Sequence, residues 1–191
     1  MRSKIKTVDT PGELVQSVHD MIINSGKVYV GCDPGISGAV AFVFPDGHVT
    51  FVDPPTYQTQ YKCRGVTRNR NHYYIPRLVA QIKEQISGFN TTVCIEKVSS
   101  RPADGVQQAF SLGNGFGIYQ GIFGVLCSGV TLLVAPVVWK RKLGLLKKDK
   151  EASRLLALEL YPQCSGELSR KKDSDRAEAL LLAHYLRCFN A

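Results

Sequence analysis

The chain has 191 residues, of which 44% are hydrophobic, and 24 basic residues against 16 acidic ones give it a formal net charge of +8. This length is typical of one domain with a sizeable core, and the absence of an apolar run of about 18 residues excludes a membrane-spanning helix. The six cysteines include no C-x-x-C pair and no histidine at a ligand spacing, which argues against a zinc site and favours buried free thiols in a reducing compartment.

The first part of the chain predicts a helix and three strands. A capping box at residues 10–13, followed by apolar residues at helical spacing, predicts a helix over residues 11–24. Extended runs predict strands over residues 28–33, 38–44 and 49–52, with a hairpin turn between the second and the third. We therefore expect an N-terminal helical extension over residues 1–26, ahead of a domain over residues 27–191.

The segment 54–74 has no apolar period and is rich in arginine, asparagine, glutamine and tyrosine, so we interpret it as a long loop. Loops of that length inside a compact domain are usually functional or disordered. Its arginines could contact phosphates or guanine edges, and its tyrosines could stack on unpaired bases. These residues are Arg64, Arg68 and Arg70, and Tyr57, Tyr61, Tyr73 and Tyr74. The alternative is a disordered basic loop that adds only nonspecific affinity.

The remaining elements alternate between helices and strands. Strands are predicted over residues 91–98 and 130–135, and helices over residues 75–86, 105–127, 136–143, 149–160 and 175–189. Strands that first meander and then alternate with helices indicate an α/β domain, in which helices cover a mixed sheet.

The predicted helix over residues 105–127 has glycines at four-residue and three-residue spacing: Gly113, Gly117, Gly121 and Gly124. Each glycine costs about 1 kcal/mol relative to alanine in a helix interior. Such a stripe indicates close approach of another backbone, either in a dimer or on the sheet, and both alternatives stay open.

Acidic residues stand at unusual positions near the ends of predicted elements. Asp33 ends the first strand and Glu96 lies near the end of another, so the two carboxylates would be neighbours if these strands are parallel and adjacent. Asp175 and Glu178 are three residues apart and therefore share one face of the last helix. Taken singly, each acid could be a solvated or capping residue, and Asp175 could favour the helix N-terminus through its dipole.

Carboxylates this close repel one another unless a cation lies between them, and hard oxygen ligands suit magnesium or manganese. With two metals about 4 Å apart, one can activate a water while the other stabilises the leaving 3′ oxygen. The acids therefore predict phosphodiester hydrolysis.

Six segments follow one another in order: GCDPGISGAVAF (31–42), CIEKV (94–98), AFSLGNGFG (109–117), VAPVVWKRKLG (134–144), KKDKEASR (147–154) and DSDRAEALLLAHYL (173–186). This series, which covers residues 27–189, resembles the motifs of RuvC-type Holliday-junction resolvases, and within them most closely the plant chloroplast type. The resemblance implies a ribonuclease H-like fold, with a mixed five-stranded sheet flanked by helices.

The resemblance also implies catalytic and metal-binding residues. The residues at the family's metal-ligand positions are Asp33, Glu96, Asp175 and Glu178. Bacterial members commonly have aspartate where Glu178 stands, and Asp173 competes with Asp175 for the third place. The implied cofactor is Mg²⁺, with Mn²⁺ as a plausible substitute.

Lys140 and Lys150 match lysines that the family uses near the DNA backbone and the scissile phosphate, where a positive charge can stabilise the transition state. We therefore include Lys140 among the catalytic residues. Basic residues cluster over residues 54–83 and 139–154. These two basic clusters predict further DNA-binding residues: Arg64, Arg68, Arg70, Lys142, Lys147 and Lys148.

A four-way DNA junction is the implied partner, and a homodimer is implied because a junction has two strands to cut at symmetry-related places. The implied location is the chloroplast nucleoid, with a role in DNA recombination and nucleoid segregation and with a transit peptide outside this sequence. Two alternatives stay open: a non-catalytic branched-DNA-binding module of the same fold, and an actin-like or sugar-kinase-like nucleotide-binding domain. The latter fold normally needs two such domains, whereas this chain holds one.

Overall fold

A mixed sheet of five strands organises the chain in the computed structural model, which describes residues 26–100, 105–127 and 129–189. The strands are β1 (Lys27–Asp33), β2 (Ala39–Val43), β3 (Val49–Val52), β6 (Asn90–Glu96) and β7 (Thr131–Val134). The helix predicted over residues 11–24 lies outside the described residues.

Across the sheet the strand order is β3-β2-β1-β6-β7. β1, β2 and β3 form an antiparallel meander, while β6 pairs parallel with β1 and β7 pairs parallel with β6. The parallel pairs require crossover connections, which helices provide. The predicted mixed five-stranded sheet with flanking helices is therefore confirmed.

Helices cover both faces of this sheet. They are α1 (Ile75–Ile86), α2 (Val106–Leu126), α3 (Pro136–Lys142), α4 (Lys150–Leu160) and α5 (Ser174–Phe189). Alternate residues of β1 point to opposite faces, so Val30 packs in the core beneath α1 and α2, and Tyr29 packs in the core beneath α5. Both faces of β1 and β2 are buried, which explains their nearly continuous apolar sequence.

The segment 54–74 forms a β-hairpin, so its prediction as a loop is wrong. The hairpin strands β4 (Thr56–Cys63) and β5 (Val66–Tyr73) pair antiparallel along their whole length as a separate two-stranded sheet. Arg64 and Gly65 connect them, both with positive φ (51° and 79°), as a two-residue hairpin turn of type I′ requires. Six of the eight residues of each strand are exposed, so no apolar alternation marks them in the sequence.

All six cysteines are free. Cys32, Cys94 and Cys164 are buried as expected, whereas Cys188 is exposed and the other two are partly exposed. Within the described residues, no helix is both long enough and apolar enough to cross a membrane.

Candidate active site

The carboxyl ends of β1 and β6 bring two acidic side chains together. The parallel register pairs Cys32 with Ile95, so Asp33 and Glu96 are the next residues of two adjacent strands. Neighbouring strands lie about 4.8 Å apart, and the two carboxylates therefore share one edge of the sheet. This placement is the one predicted from the strand ends.

Gly31 explains how α5 comes close enough to add two more acids. A Cβ atom at Gly31 would overlap the main-chain oxygen of Ala179 and the main-chain nitrogen of Ala183 on α5. The backbones of β1 and α5 therefore lie in direct contact. Asp175 and Glu178 are in the first turns of this helix, beside the end of β1.

The four carboxylates are close enough to influence one another. Burial raises the pKa of Asp33 to about 7, with further upward contributions from the charges of Glu96, Asp175 and Glu178 that outweigh the opposing effect of Lys150. Burial also raises the pKa of Glu96, and the hydrogen bond from Trp139 partly offsets this rise. The site concentrates negative charge where little water can solvate it.

Two lysines and two uncharged donors bind these acids. Lys140 Nζ donates to Glu178 Oε1 at 2.7 Å and Lys150 Nζ donates to Asp175 Oδ1 at 2.5 Å. Trp139 Nε1 donates to Glu96 Oε1 at 3.0 Å, and Ser153 Oγ donates to Glu178 Oε1 at 3.2 Å. Among the ion pairs of the described residues, none involves Asp33 or Glu96.

Asp173 is held away from this cluster by its own partner. Both of its carboxylate oxygens accept hydrogen bonds from the guanidinium of Arg170, at 2.8 and 3.1 Å, and these bonds hold the pKa of Asp173 below its usual range. The charge of Asp175, by contrast, acts on Asp33. The structure thus places Asp175, and not Asp173, with the other three acids.

As they are placed, the side chains do not form a finished metal site. Across the parts of the chain that the structure describes, no three His, Cys, Asp or Glu side chains are grouped as ligands of one ion. The lysine pairs provide a physical reason, since they turn the carboxylates of Asp175 and Glu178 toward Nζ atoms. The donor set still fits a hard divalent cation, because it consists of four carboxylates, one of them the partly buried Asp33, which has no ion-pair partner in the described part of the chain.

The other basic residues predicted to bind DNA lie on the surface. Lys142, Lys147 and Lys148 are exposed at and beyond the end of α3, close in sequence to Lys140. Arg64, Arg68 and Arg70 are exposed on the hairpin. Since β5 has eight residues, Arg64 at the tip lies roughly 25 Å from the hairpin base.

One face of the hairpin combines aromatic and basic side chains. The register places Tyr57 opposite His72 and Tyr61 opposite Arg68 on the same face as Arg70. The rings of Tyr57 and His72 stack with centroids 5.3 Å apart, and the guanidinium of Arg70 lies 5.3 Å from the Tyr61 ring centroid.

Tyr73 differs from the other hairpin tyrosines. Only 7% of it is exposed, and its hydroxyl donates to the main-chain oxygen of Pro34 at 3.1 Å. The expectation that Tyr73 stacks on unpaired bases is therefore wrong. Tyr57 and Tyr74 remain about half exposed and available for stacking.

The glycine stripe of α2 does not pack on the sheet. A Cβ atom at Gly113, Gly117, Gly121 or Gly124 would meet no heavy atom within 4 Å. The close approach occurs instead at Gly115, where a Cβ atom would overlap the Tyr73 hydroxyl and the Pro34 carbonyl oxygen.

Sequence reasoning missed Trp139, Ser153, Gly31 and Tyr73 as residues that build the site. The one available signal for Trp139 was its uniqueness as the only tryptophan of the chain, next to Lys140. The other three act through neighbours that are distant in the sequence, so no local pattern marks them.

Comparisons with known proteins found no matching family model and no matching curated protein. Among solved structures, the chain is similar to RuvC from Thermus thermophilus in complex with a Holliday junction substrate, with 17% identity, a TM-score of 0.46 and coverage of 83% of this chain and 91% of that one. A second Thermus thermophilus RuvC structure gives 18% identity, a TM-score of 0.46 and coverage of 83% and 92%. The yeast mitochondrial Holliday junction resolvase Ydc2 gives 16% identity, a TM-score of 0.44 and coverage of 94% and 85%. These values are too low to assign a function to the chain.

Proposed function

We propose that the protein is a divalent-metal-dependent endodeoxyribonuclease that resolves Holliday junctions by symmetric paired nicks. The observation that carries this proposal is the convergence of Asp33, Glu96, Asp175 and Glu178, with the charges of the other three acting on the partly buried Asp33. A protein with a net charge of +8 gains nothing for DNA binding from four clustered acids unless they hold a cation.

In this proposal, Asp33, Glu96, Asp175 and Glu178 would hold Mg²⁺ or Mn²⁺, which would supply the activation of water and the stabilisation of the leaving oxygen. Trp139 and Ser153 orient the carboxylates of Glu96 and Glu178 through their hydrogen bonds. Lys140 and Lys150 neutralise acids when the site is empty and are available to phosphate oxygens once a cation takes over that role.

DNA would bind along two basic surfaces, one next to Lys140 at the site and one on the hairpin. Lys142, Lys147 and Lys148 supply phosphate contacts next to Lys140, and Arg68 and Arg70 supply them on the hairpin. The half-exposed ring of Tyr57 and the partly exposed ring of Tyr61 lie on the same hairpin face as these arginines, as suits unpaired bases at the centre of a junction.

The proposed homodimer would present two carboxylate sites to the two strands that must be cut. The exposed glycine stripe of α2 supports it, because these glycines face open space within the described residues and allow close backbone contact with a second copy. The further proposal of a role in chloroplast DNA recombination and nucleoid segregation, as for the plant resolvase monokaryotic chloroplast 1, rests on the sequence resemblance alone.

A second candidate function is a non-catalytic module that binds branched DNA. The specific observation that favours it is that lysines already neutralise two of the four acids without any metal. The two candidates make the same prediction for junction binding and opposite predictions for cleavage.

The test is a labelled four-way junction incubated with the protein and magnesium, for the parent and for Asp33→Asn. We expect the parent to produce paired nicks. The variant should still bind the junction, but its cleavage rate should be reduced roughly a thousand-fold or more. Asp46→Asn, in the exposed turn between β2 and β3, is the matched control and should cleave like the parent. A parent that binds the junction without cleaving it would establish the second candidate, and equal cleavage by Asp33→Asn would remove Asp33 from the mechanism.

A further inference from the structure

Three elements meet at the hydroxyl of Tyr73. The tyrosine is the last residue of β5, its hydroxyl donates to Pro34 on the turn after β1, and the position of Gly115 on α2 leaves room for both atoms. The acceptor is the carbonyl of the residue that directly follows Asp33. A hydrogen bond from the hairpin base therefore holds the backbone that carries the central carboxylate of the site.

The ring and the hydroxyl of Tyr73 have separable roles. Its ring packs edge-on against Tyr119 at a centroid distance of 6.1 Å and belongs to the core beneath α1 and α2. The hydroxyl satisfies the carbonyl of Pro34, which is buried and needs a donor. Removal of the hydroxyl alone would leave the core packed and free the turn at Pro34.

We propose that Tyr73 is a positioning residue, which fixes the Asp33–Pro34 turn relative to the hairpin so that DNA held by the hairpin meets the carboxylates in one geometry. This inference rests on the proposed nuclease function. Catalysis by positioned groups is sensitive to displacements of about 1 Å, so a small shift of Asp33 affects the cleavage step more than junction binding.

Tyr73→Phe tests the proposal, with Tyr161→Phe as its matched control. Tyr161 is also nearly buried, at 5% exposure, and its hydroxyl bonds with His184 Nδ1 at 3.0 Å, so each variant loses one hydroxyl hydrogen bond from a buried tyrosine. We expect the two variants to lose similar thermal stability. Tyr73→Phe should cleave a bound junction roughly ten-fold more slowly, with KM and junction Kd within two-fold of the parent, whereas Tyr161→Phe should cleave at the parent rate.

A second variant, on α2, disturbs the same hydrogen bond between the Tyr73 hydroxyl and the Pro34 carbonyl. Gly115→Ala places a methyl group where the Tyr73 hydroxyl and the Pro34 carbonyl lie, and should slow cleavage of the bound junction at least as much as Tyr73→Phe. Gly166→Ala, where an added Cβ would meet no atom within 4 Å, is the control.

Each outcome decides between the inferences. If the parent cleaves the junction and Tyr73→Phe cleaves it at the same rate, the positioning role is overturned and the nuclease proposal stays intact. Equal slowing by Tyr73→Phe and Tyr161→Phe also overturns it, because the effect would then be a general loss of stability. A parent that does not cleave overturns both proposals.

Discussion

Buried neighbours on both faces hold the carboxyl edge of β1 and β6, whereas the hairpin β4–β5 is held by its own cross-strand bonds and by contacts at its base. Asp33 follows five buried residues, Val28 to Cys32, while six of the eight residues of β4 are exposed. The carboxylate site is therefore as rigid as the core around it, and the hairpin, apart from Tyr73 at its base, can change its side chains without disturbing the site. A substitution in the first region should act on folding or on cleavage, and one in the second on DNA affinity.

The largest contrast between the two regions is expected for glycine substitutions. Gly31→Ala forces a methyl group into the backbone of α5, and because backbone cannot move aside cheaply, we expect a loss of about 3 kcal/mol or more in the free energy of unfolding. Gly65→Ala strains only the exposed turn of the hairpin and should cost about 1 kcal/mol. Thermal and denaturant unfolding of both variants measures the difference, and equal costs would contradict the contrast.

Lys140→Met should affect cleavage more than binding, because Lys140 lies inside the carboxylate site and bonds with Glu178. We expect a cleavage rate roughly 100-fold lower than that of the parent, with junction affinity reduced only a few-fold. Lys142→Met, on the same helix but exposed, is the comparison and should weaken binding slightly without changing the rate on a saturated enzyme. Single-turnover kinetics with saturating protein separates the two effects, and a slow Lys142→Met variant would count against this assignment.

The hairpin should show the reverse pattern. Replacement of Arg68 and Arg70 by alanine removes two exposed charges, and we expect junction affinity to fall about ten-fold while the bound junction is cleaved at the parent rate. The slope of log affinity against log salt should decrease by about 1 for each phosphate that the variant no longer neutralises. Arg77→Ala, on the exposed first turn of α1, is the control for the loss of one exposed positive charge outside the hairpin. An unchanged salt slope in the double variant would mean that the hairpin does not bind phosphates.

The sequence predicted the strands of the sheet and the grouping of the carboxylates, but it did not predict the contacts between elements that are distant in the chain. Apolar runs predicted β1 and β6, and the rule that parallel strands end at one edge placed Asp33 beside Glu96. The hairpin was missed because both of its faces are polar, so apolar periodicity could not reveal its strands.

Periodicity also failed for the glycines of α2. It correctly placed Gly113 and Gly117 on one face of the helix, but it could not tell what covers that face. The covered glycine is Gly115, whose neighbours Tyr73 and Pro34 come from other parts of the chain. Tertiary contacts of this kind follow from the packing of elements and leave no local pattern.

The smallest effect is expected at the ion pair that links α5, which carries Asp175 and Glu178, to Asp53 just before the hairpin. Arg176, which follows Asp175 on α5, donates through Nε and Nη2 to the carboxylate oxygens of Asp53 at 2.8 and 2.5 Å, and Asp53 lies between β3 and the hairpin. Asp53 is 53% exposed, so solvent screens the pair and Asp53→Asn should cost less than about 1 kcal/mol of unfolding free energy. Asp46→Asn, at an exposed acid without an ion pair in the described part of the chain, provides the control for the loss of one negative charge.

If the two regions are independent apart from Tyr73, Asp53→Asn should change the cleavage rate no more than two- to three-fold, and less at high salt, where the pair is already weakened. A loss of cleavage as large as that of Lys140→Met would instead mean that the pair holds Asp175 in place. In that case α5, and not only the turn after β1, would depend on the hairpin side of the molecule for its catalytic geometry.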